Sequence, residues 1–139
     1  MLIVATLIAL VAGLTLPSVT SGLDSLRMRA AADSIVALLN TSLDRADRRQ
    51  QAVEILISPP ENAIIARSAD NGFTRRVDLL EPIHISAILP AAGADPHQPR
   101  RFLLYPGGAV PAIAIELTSS SGHKRTVSID PITGVPLAK

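Results

Sequence analysis

Three pairs of adjacent basic residues are the clearest candidates for chemistry in this sequence, because neighbouring cations can neutralise successive phosphates of a nucleic-acid backbone. The pairs are Arg75-Arg76, Arg100-Arg101 and Lys124-Arg125. The alternative is that these side chains are solvated charges at strand ends and in loops. Four aspartates would offset much of their field: Asp70, Asp78, Asp95 and Asp130. We favour solvated charges and do not expect nucleic acid as a partner.

Patterns for catalysis or metal binding are weak. The sequence has no cysteine, which excludes thiolate chemistry and cysteine-based metal sites. The histidines His84, His97 and His123 are far apart and form no metal-binding spacing. Asp130 is a single carboxylate beside a proline, which favours a turn over a calcium site, and the serines at 119–121 lack a nucleophile motif. We therefore expect a protein that is not an enzyme, with no cofactor and no metal.

Composition limits the size and the core of the protein. The 139 residues fit one small domain with an appendage. Lys and Arg number 13 and Asp and Glu 12, so the formal charge of +1 predicts no partner. Hydrophobic residues make up 47% of the chain, but the only aromatic ones are Phe73, Phe102 and Tyr105. The core must therefore consist of Leu, Ile, Val and Ala.

The beginning of the chain reads as a membrane segment. Residues 1–23 carry no charge, and as a helix the 19 residues to Val19 would span about 28 Å, close to the bilayer's apolar thickness of about 30 Å. A signal peptide would need a basic start, but the first basic residue is Arg27. Pro17 predicts a kink. The residues expected to face lipid or neighbouring helices are Leu2, Ile3, Leu7, Leu10, Leu14, Leu16 and Pro17.

From residue 23 to residue 50 the helix becomes amphipathic, with apolar residues three or four positions apart. We expect this face to form one side of the core through Met28, Ile35, Leu38, Leu39 and Leu43. The alternating charges at 44–49 are typical of a solvated helix face near the helix end. The pattern thus divides a single long helix into an apolar half, 1–22, and an amphipathic half, 23–50.

The remainder, 51–139, changes to a period of two and is predicted to be a β domain. Asp70-Asn71-Gly72 is a hairpin signal. The predicted strands are 52–58, 63–68, 74–80, 83–89, 101–105, 112–118 and 124–129. The expected fold is α+β, with the long N-terminal helix packed on an antiparallel β-sheet domain of six or seven short strands.

Two blocks of the chain resemble type IV pilin-like proteins, in particular minor pseudopilins of the type II secretion system of the GspH/FimT type. The first is MLIVATLIALVAGLTLPSV at 1–19, which is similar to the pilin N-terminal helix. The second begins with RFLLYPGG at 101–108, which resembles a strand ending in Pro-x-Gly. It continues through the strand at 113–117 to the Thr-Gly turn within 127–135.

The resemblance implies a pilin-like fold and a structural role. The protein would be a single-pass protein of the bacterial inner membrane with its C-terminal domain in the periplasm, and it would contact membrane lipid and other pseudopilins or pilins through its helix. Aligning Leu16-Pro17-Ser18 with the family places Met1 directly after the family's glutamate, which is missing here together with the prepilin peptidase site. We expect the true N-terminus to lie upstream, in which case prepilin peptidase is also a partner and processing and methylation follow.

Two alternatives remain open at this point. One is a type IV pilus minor pilin, similar to FimT, that acts in pilus assembly or DNA uptake. It would be favoured if the three basic pairs lay on one face. The other is a membrane-anchored periplasmic binding module, which a concave apolar pocket in the β domain would favour.

Overall fold

One helix and eight strands make up the described part of the chain. The computed structural model describes residues 2–70, 72–90, 93, 95–108 and 110–139, and for 11–21 it describes the backbone alone. The elements are α1 (Leu2–Arg49), β1 (Val53–Ser58), β2 (Ala63–Ser68), β3 (Thr74–Asp78), β4 (His84–Leu89), β5 (Arg100–Leu104), β6 (Ala114–Thr118), β7 (Lys124–Ile129) and β8 (Pro136–Ala138). The predicted α+β class and the long N-terminal helix are confirmed.

The strands form two antiparallel sheets of four strands each. The first sheet has the order β3-β2-β1-β5 and the second the order β4-β6-β7-β8. The hairpin predicted around Gly72 joins β2 to β3, with Ala63 opposite Asp78 and Arg67 opposite Thr74; Asn71 lies outside the described residues. Helix α1 contacts strands of both sheets, so it is the element that joins them into one domain.

All seven predicted strands are present, with ends that differ by no more than two residues. The prediction of six or seven strands was wrong by one, because β8 was missed. This strand has three residues, begins with Pro136 and is therefore too short to show a two-residue period. It pairs with β7, where Ala138 lies opposite Val127 and Pro136 opposite Ile129.

The core lies between the second half of α1 and the inner faces of the two sheets. Met28, Ile35, Leu38 and Leu39 are all buried, whereas Leu43 is only half-buried against the core. The sheets contribute branched aliphatic side chains, among them Ile55, Ile57, Ile64, Ile115, Leu117 and Val127. Because β-branched residues suit strands and the helix presents its apolar residues on one face, the sequence can build this core almost without aromatic rings.

Removing a core side chain of α1 is expected to destabilise the domain strongly. Leu39 has no exposed surface, so Leu39→Ala should lower the free energy of unfolding by about 3 kcal/mol through lost burial and the cavity left behind. Leu26 is 64% exposed, and Leu26→Ala should change it by less than about 0.5 kcal/mol. Urea unfolding of the purified chain in detergent measures both. Similar losses for the two variants would contradict the packing described here.

Candidate functional site

The first turns of α1 form an apolar surface that the β domain does not cover. The large side chains of this stretch are 56% to 86% exposed: Leu2, Ile3, Val4, Leu7, Ile8 and Leu10. At 100° per residue these positions extend around most of the helix. Thr6 is the only polar side chain at 2–10, and its hydroxyl donates to the Leu2 carbonyl oxygen at 2.8 Å. We call residues 2–10 the apolar helix start.

Three predicted lipid-facing or filament-facing residues, Leu14, Leu16 and Pro17, have side chains outside the described part of the structure. Helix α1 continues without interruption through position 17. Among the residues that the structure describes, no helix combines the length and the apolar character needed to cross a membrane.

The three basic pairs are not gathered on one face. Arg75-Arg76 is on β3 and Arg100-Arg101 on β5, which are opposite edges of the first sheet, whereas Lys124-Arg125 is on β7 of the second sheet. Within each pair the two side chains point to opposite faces, because successive strand residues alternate. Only Arg76 and Arg101 lie in one line of directly paired residues across the sheet (a register row), with Ile65 and Leu56 between them.

Most of these cations already have partners. Arg76 lies 2.9 Å from Asp78 and 3.7 Å from Glu61. On the same outer face Arg101 and Arg67 both approach Glu54, at 3.5 and 3.6 Å. Arg75 and Arg100 lie against aromatic rings instead, 5.9 Å from the centroid of Phe73 and 4.9 Å from that of Phe102. The outer face of the first sheet therefore carries ion-paired arginines rather than a continuous basic surface.

The second sheet carries an apolar groove on its outer face. One register row crosses all four strands through Leu89, Ala114, Ser128 and Leu137. This row lines an open cavity of about 440 Å³ together with Pro90 and Pro131, among other residues. The groove is not evident in the sequence, because its residues come from strands whose order cannot be read from periodicity.

The residues considered for metal or nucleophile chemistry belong to turns. Asp130 accepts hydrogen bonds from the backbone N–H groups of Ile132 at 2.8 Å and Thr133 at 3.4 Å, and these bonds lower its pKa. Ser119 Oγ lies 2.9 Å from Ser121 Oγ and accepts from the backbone N–H of His123. Over the described residues, no three His, Cys, Asp or Glu side chains are grouped as metal ligands would be.

The end of α1 lies against the β2–β3 hairpin, where Asp70 is the hydrogen-bonded carboxylate of the turn. This carboxylate accepts a short hydrogen bond from Ser68 Oγ and one of 3.0 Å from the N–H of Gly72. Arg45 of α1 adds its positive charge, and its guanidinium carbon lies 5.4 Å from the centroid of Phe73. The Ser68 hydrogen bond, then the Gly72 bond and then Arg45 lower the pKa of Asp70 below its ordinary value of 3.8.

This lowered pKa predicts an acid-sensitive hairpin. A carboxylate with a depressed folded-state pKa stabilises the fold at neutral pH, and that contribution is lost as the pH falls below 3.8 and through the folded value. Asp70→Asn keeps an acceptor for Gly72 but does not ionise, so it should reduce the loss of stability on acidification. Thermal unfolding of both proteins across this range measures the difference. Parallel pH profiles would contradict the assignment.

Compared with models of protein families, with curated proteins and with solved structures, the chain has no significant match. The fold is of the α+β class. The second half of its one long helix packs on a two-sheet domain, and the first turns of the same helix form an uncovered apolar surface.

Proposed function

We propose that this protein is a minor pseudopilin of a type II secretion system, a structural subunit that supports protein export across the outer membrane. In this proposal the helix up to residue 22 resides in the bacterial inner membrane and then enters the core of a short filament. The β domain lies in the periplasm. The observation that carries the proposal is the apolar helix start, which is exposed while the same helix is buried further along.

The physical reason is that so much apolar surface needs a cover. Burying one large aliphatic side chain is worth about 1.5–3 kcal/mol, and the apolar helix start exposes six of them. Lipid tails and neighbouring apolar helices are both suitable environments. A subunit can therefore pass from membrane to filament by exchanging lipid contacts for helix contacts, and the role requires assembly rather than catalysis.

Helix α1 would also fix the distance between the membrane and the β domain. Its 48 residues correspond to about 72 Å. Because its second half is packed against both sheets, a displacement of the helix start is transmitted to the domain without an intervening linker.

Single-cysteine cross-linking tests the proposal sharply, since the chain has no cysteine of its own. Leu7→Cys should form disulfides with neighbouring subunits carrying cysteine at matching helix positions, in membranes from cells with a working secretion machine. Leu103→Cys is the control, because this position is exposed on β5 of the first sheet. If neither variant is retained in the membrane fraction, the proposal is wrong.

The groove on the second sheet favours a second candidate, a membrane-anchored periplasmic binding module. Its open apolar volume of about 440 Å³ is in the range of small-ligand sites. Replacing residues 2–22 by an unrelated membrane anchor separates the two candidates. A binding module would keep its function with the foreign anchor, whereas a pseudopilin would lose it. A DNA-contacting pilin has less support, since the basic pairs occupy different faces and two sheets.

A further inference from the structure

An open groove runs between α1 and the outer edge of β3, and we call it the edge groove. Two cavities of about 370 and 170 Å³ make it up, and Ser34 of α1 and Val77 of β3 line both. The first cavity extends to Thr41 and Arg75, and the second to Arg27. From position 27 to position 41 the helix rises about 21 Å. The edge groove is therefore as long as an extended strand of about six residues.

The outer edge of β3 carries backbone groups that are directed away from β2. The strand is the outermost one of the first sheet. The N–H of Leu79 donates to the carbonyl oxygen of Asn62 at 2.9 Å, which marks a hydrogen-bonded pair of the β2–β3 ladder. Such pairs alternate along antiparallel strands, so every second residue of β3 directs its N–H and C=O groups to the open edge. These residues are Thr74, Arg76 and Asp78.

The helix side of the edge groove consists of small side chains. Ala30, Ser34, Ala37 and Thr41 line it and are exposed. The hydroxyl of Ser34 donates to the Ala30 carbonyl oxygen at 2.9 Å, and that of Thr41 donates to the Ala37 carbonyl oxygen at 2.8 Å. Apolar side chains of moderate size can therefore lie against this wall without leaving a hydroxyl group unsatisfied.

The inner face of the first sheet would continue into the edge groove if a strand were added there. Arg75 and Val77 lie opposite the buried Ala66 and Ile64, so both belong to the core-facing side of β3. Alternate side chains of an added strand would extend the same two register rows beside α1. The position next to Val77 favours an aliphatic side chain.

The position next to Arg75 favours an acidic side chain. The guanidinium carbon of Arg75 lies 5.9 Å from the centroid of Phe73, and within the described part of the chain no carboxylate lies within 4 Å of this arginine. Its neighbour Arg76, by contrast, is paired with Asp78 at 2.9 Å. Arg75 is therefore the cation of the edge groove that a carboxylate of an added strand would complement.

We propose that the edge groove binds an extended segment of a partner polypeptide, which joins the first sheet as a fifth strand next to β3. The segment has aliphatic residues two positions apart, directed towards Val77 and α1, and an acidic residue directed towards Arg75. Backbone hydrogen bonds to the edge of β3 supply affinity, and the groove and Arg75 supply specificity.

A second copy of this chain is a less suitable occupant than a foreign segment. Helix α1 runs opposite in direction to β3, since Thr41 lies near Arg75 and Arg27 lies near Asp78. Two β3 strands related by a two-fold axis would pair antiparallel, so the two helices would also point in opposite directions. Both apolar helix starts could then not enter one membrane. This exclusion rests on the proposed function, whereas strand addition itself does not require it.

Peptide selection on the purified full-length chain in detergent tests the proposal. The probe is a phage library that displays random ten-residue peptides. We expect the enriched peptides to have aliphatic residues two positions apart, with an aspartate or glutamate on the same face of the strand. The most enriched peptide is synthesised with a fluorescent label, and its affinity is measured by anisotropy. If no peptide is enriched, the proposal is overturned.

A proline in β3 tests whether the strand edge is the binding site. Arg76→Pro removes a donor at the open edge and leaves the bonds to β2, because an edge strand tolerates proline where the N–H is directed outward. Peptide affinity should fall about tenfold. Arg76→Ala is the matched control, since it keeps the N–H, and it should change the affinity by less than about twofold. Equal affinities for the proline and alanine variants would rule out the edge of β3.

Methylated peptides give the same test without a change in the protein. In an added strand, every second residue directs its N–H to β3 and the others direct theirs to solvent. N-methylation of one alternate set of residues should abolish binding, and methylation of the other set should leave it. Loss of binding with both sets, or with neither, contradicts an added strand.

Charge reversal tests the role of Arg75. Arg75→Glu should weaken binding of the acidic peptide about fivefold, and a peptide with lysine in place of the acid should prefer this variant to the unmodified chain. Arg49→Glu, at the end of α1, is the control and should leave both affinities unchanged. Absence of the reversed preference would overturn the acidic specificity.

Sedimentation of the chain in detergent tests for a second copy. A monomer supports the foreign segment. A dimer that Arg76→Pro dissociates would show that a second copy covers the edge, and the foreign segment would be wrong. Peptide binding requires no membrane insertion, so its failure would leave the proposed function standing.

Discussion

If the protein is the proposed pseudopilin, cells that produce the Ala9→Asp variant are expected to lose it from both the inner membrane and the filament. Ala9 is exposed in the apolar helix start and contributes nothing to the core. An aspartate near the middle of an inserted helix costs about 3 kcal/mol, which corresponds to about a hundredfold lower occupancy of the membrane. Membrane fractionation followed by immunoblotting of the filament fraction measures the loss.

The matched control is Ala37→Asp, which makes the same change at an exposed position on the second half of α1. This variant should remain in the membrane, since it places the charge outside the apolar segment. Both variants should resist proteolysis like the unmodified domain, because neither position belongs to the buried core. Unchanged secretion with Ala9→Asp would argue against a filament role, even if the protein stayed folded.

Periodicity predicted the helix and seven strands because it is a local property. Met28, Ile35 and Leu39 recur at helical spacing, and each is buried against the sheets. The same local information placed the ends of β2 and β7 at the residues where the structure has them. Pairing between strands depends on distant residues, so the division into two sheets could not be read from the pattern.

The candidate sites show the same limit, namely that a local pattern does not tell which distant residues come together. Each basic pair is visible in the sequence, but whether the pairs converge depends on strand order and on the alternation of side chains. The apolar groove brings Leu89 of β4 into line with Leu137 of β8, two residues that are far apart in the sequence.

Asn62 shows what a single polar residue contributes to this fold beyond the apolar pattern. It lies in the turn between β1 and β2 with a positive φ of 52°. Its Nδ2 donates to the carbonyl oxygens of Leu79 at 3.1 Å and Ile83 at 2.8 Å, and its Oδ1 accepts from the N–H of Ile85 at 3.0 Å. One side chain therefore ties the first sheet to the beginning of β4 in the second.

Asn62→Ala should lower the free energy of unfolding by about 4 kcal/mol. Three hydrogen bonds at about 1 kcal/mol each are lost. Alanine also tolerates the left-handed backbone poorly, which adds about 1 kcal/mol. Asn62→Asp should be at least as harmful, because it keeps the acceptor for Ile85 but directs a carboxylate oxygen at the two carbonyl oxygens. Urea unfolding of the purified chain in detergent measures these losses.

Asn40→Ala provides the comparison, since Asn40 is exposed on α1 and the same change there should be neutral or slightly stabilising. A loss specific to position 62 would establish that the two sheets are held together by this side chain as well as by the helix. If Asn62→Ala instead unfolded with the stability of Asn40→Ala, the backbone bond from the N–H of Leu79 to the Asn62 carbonyl oxygen, at 2.9 Å, would be sufficient to fix the connection. The helix, the core and this backbone bond would then hold the two sheets in place without the side chain of Asn62.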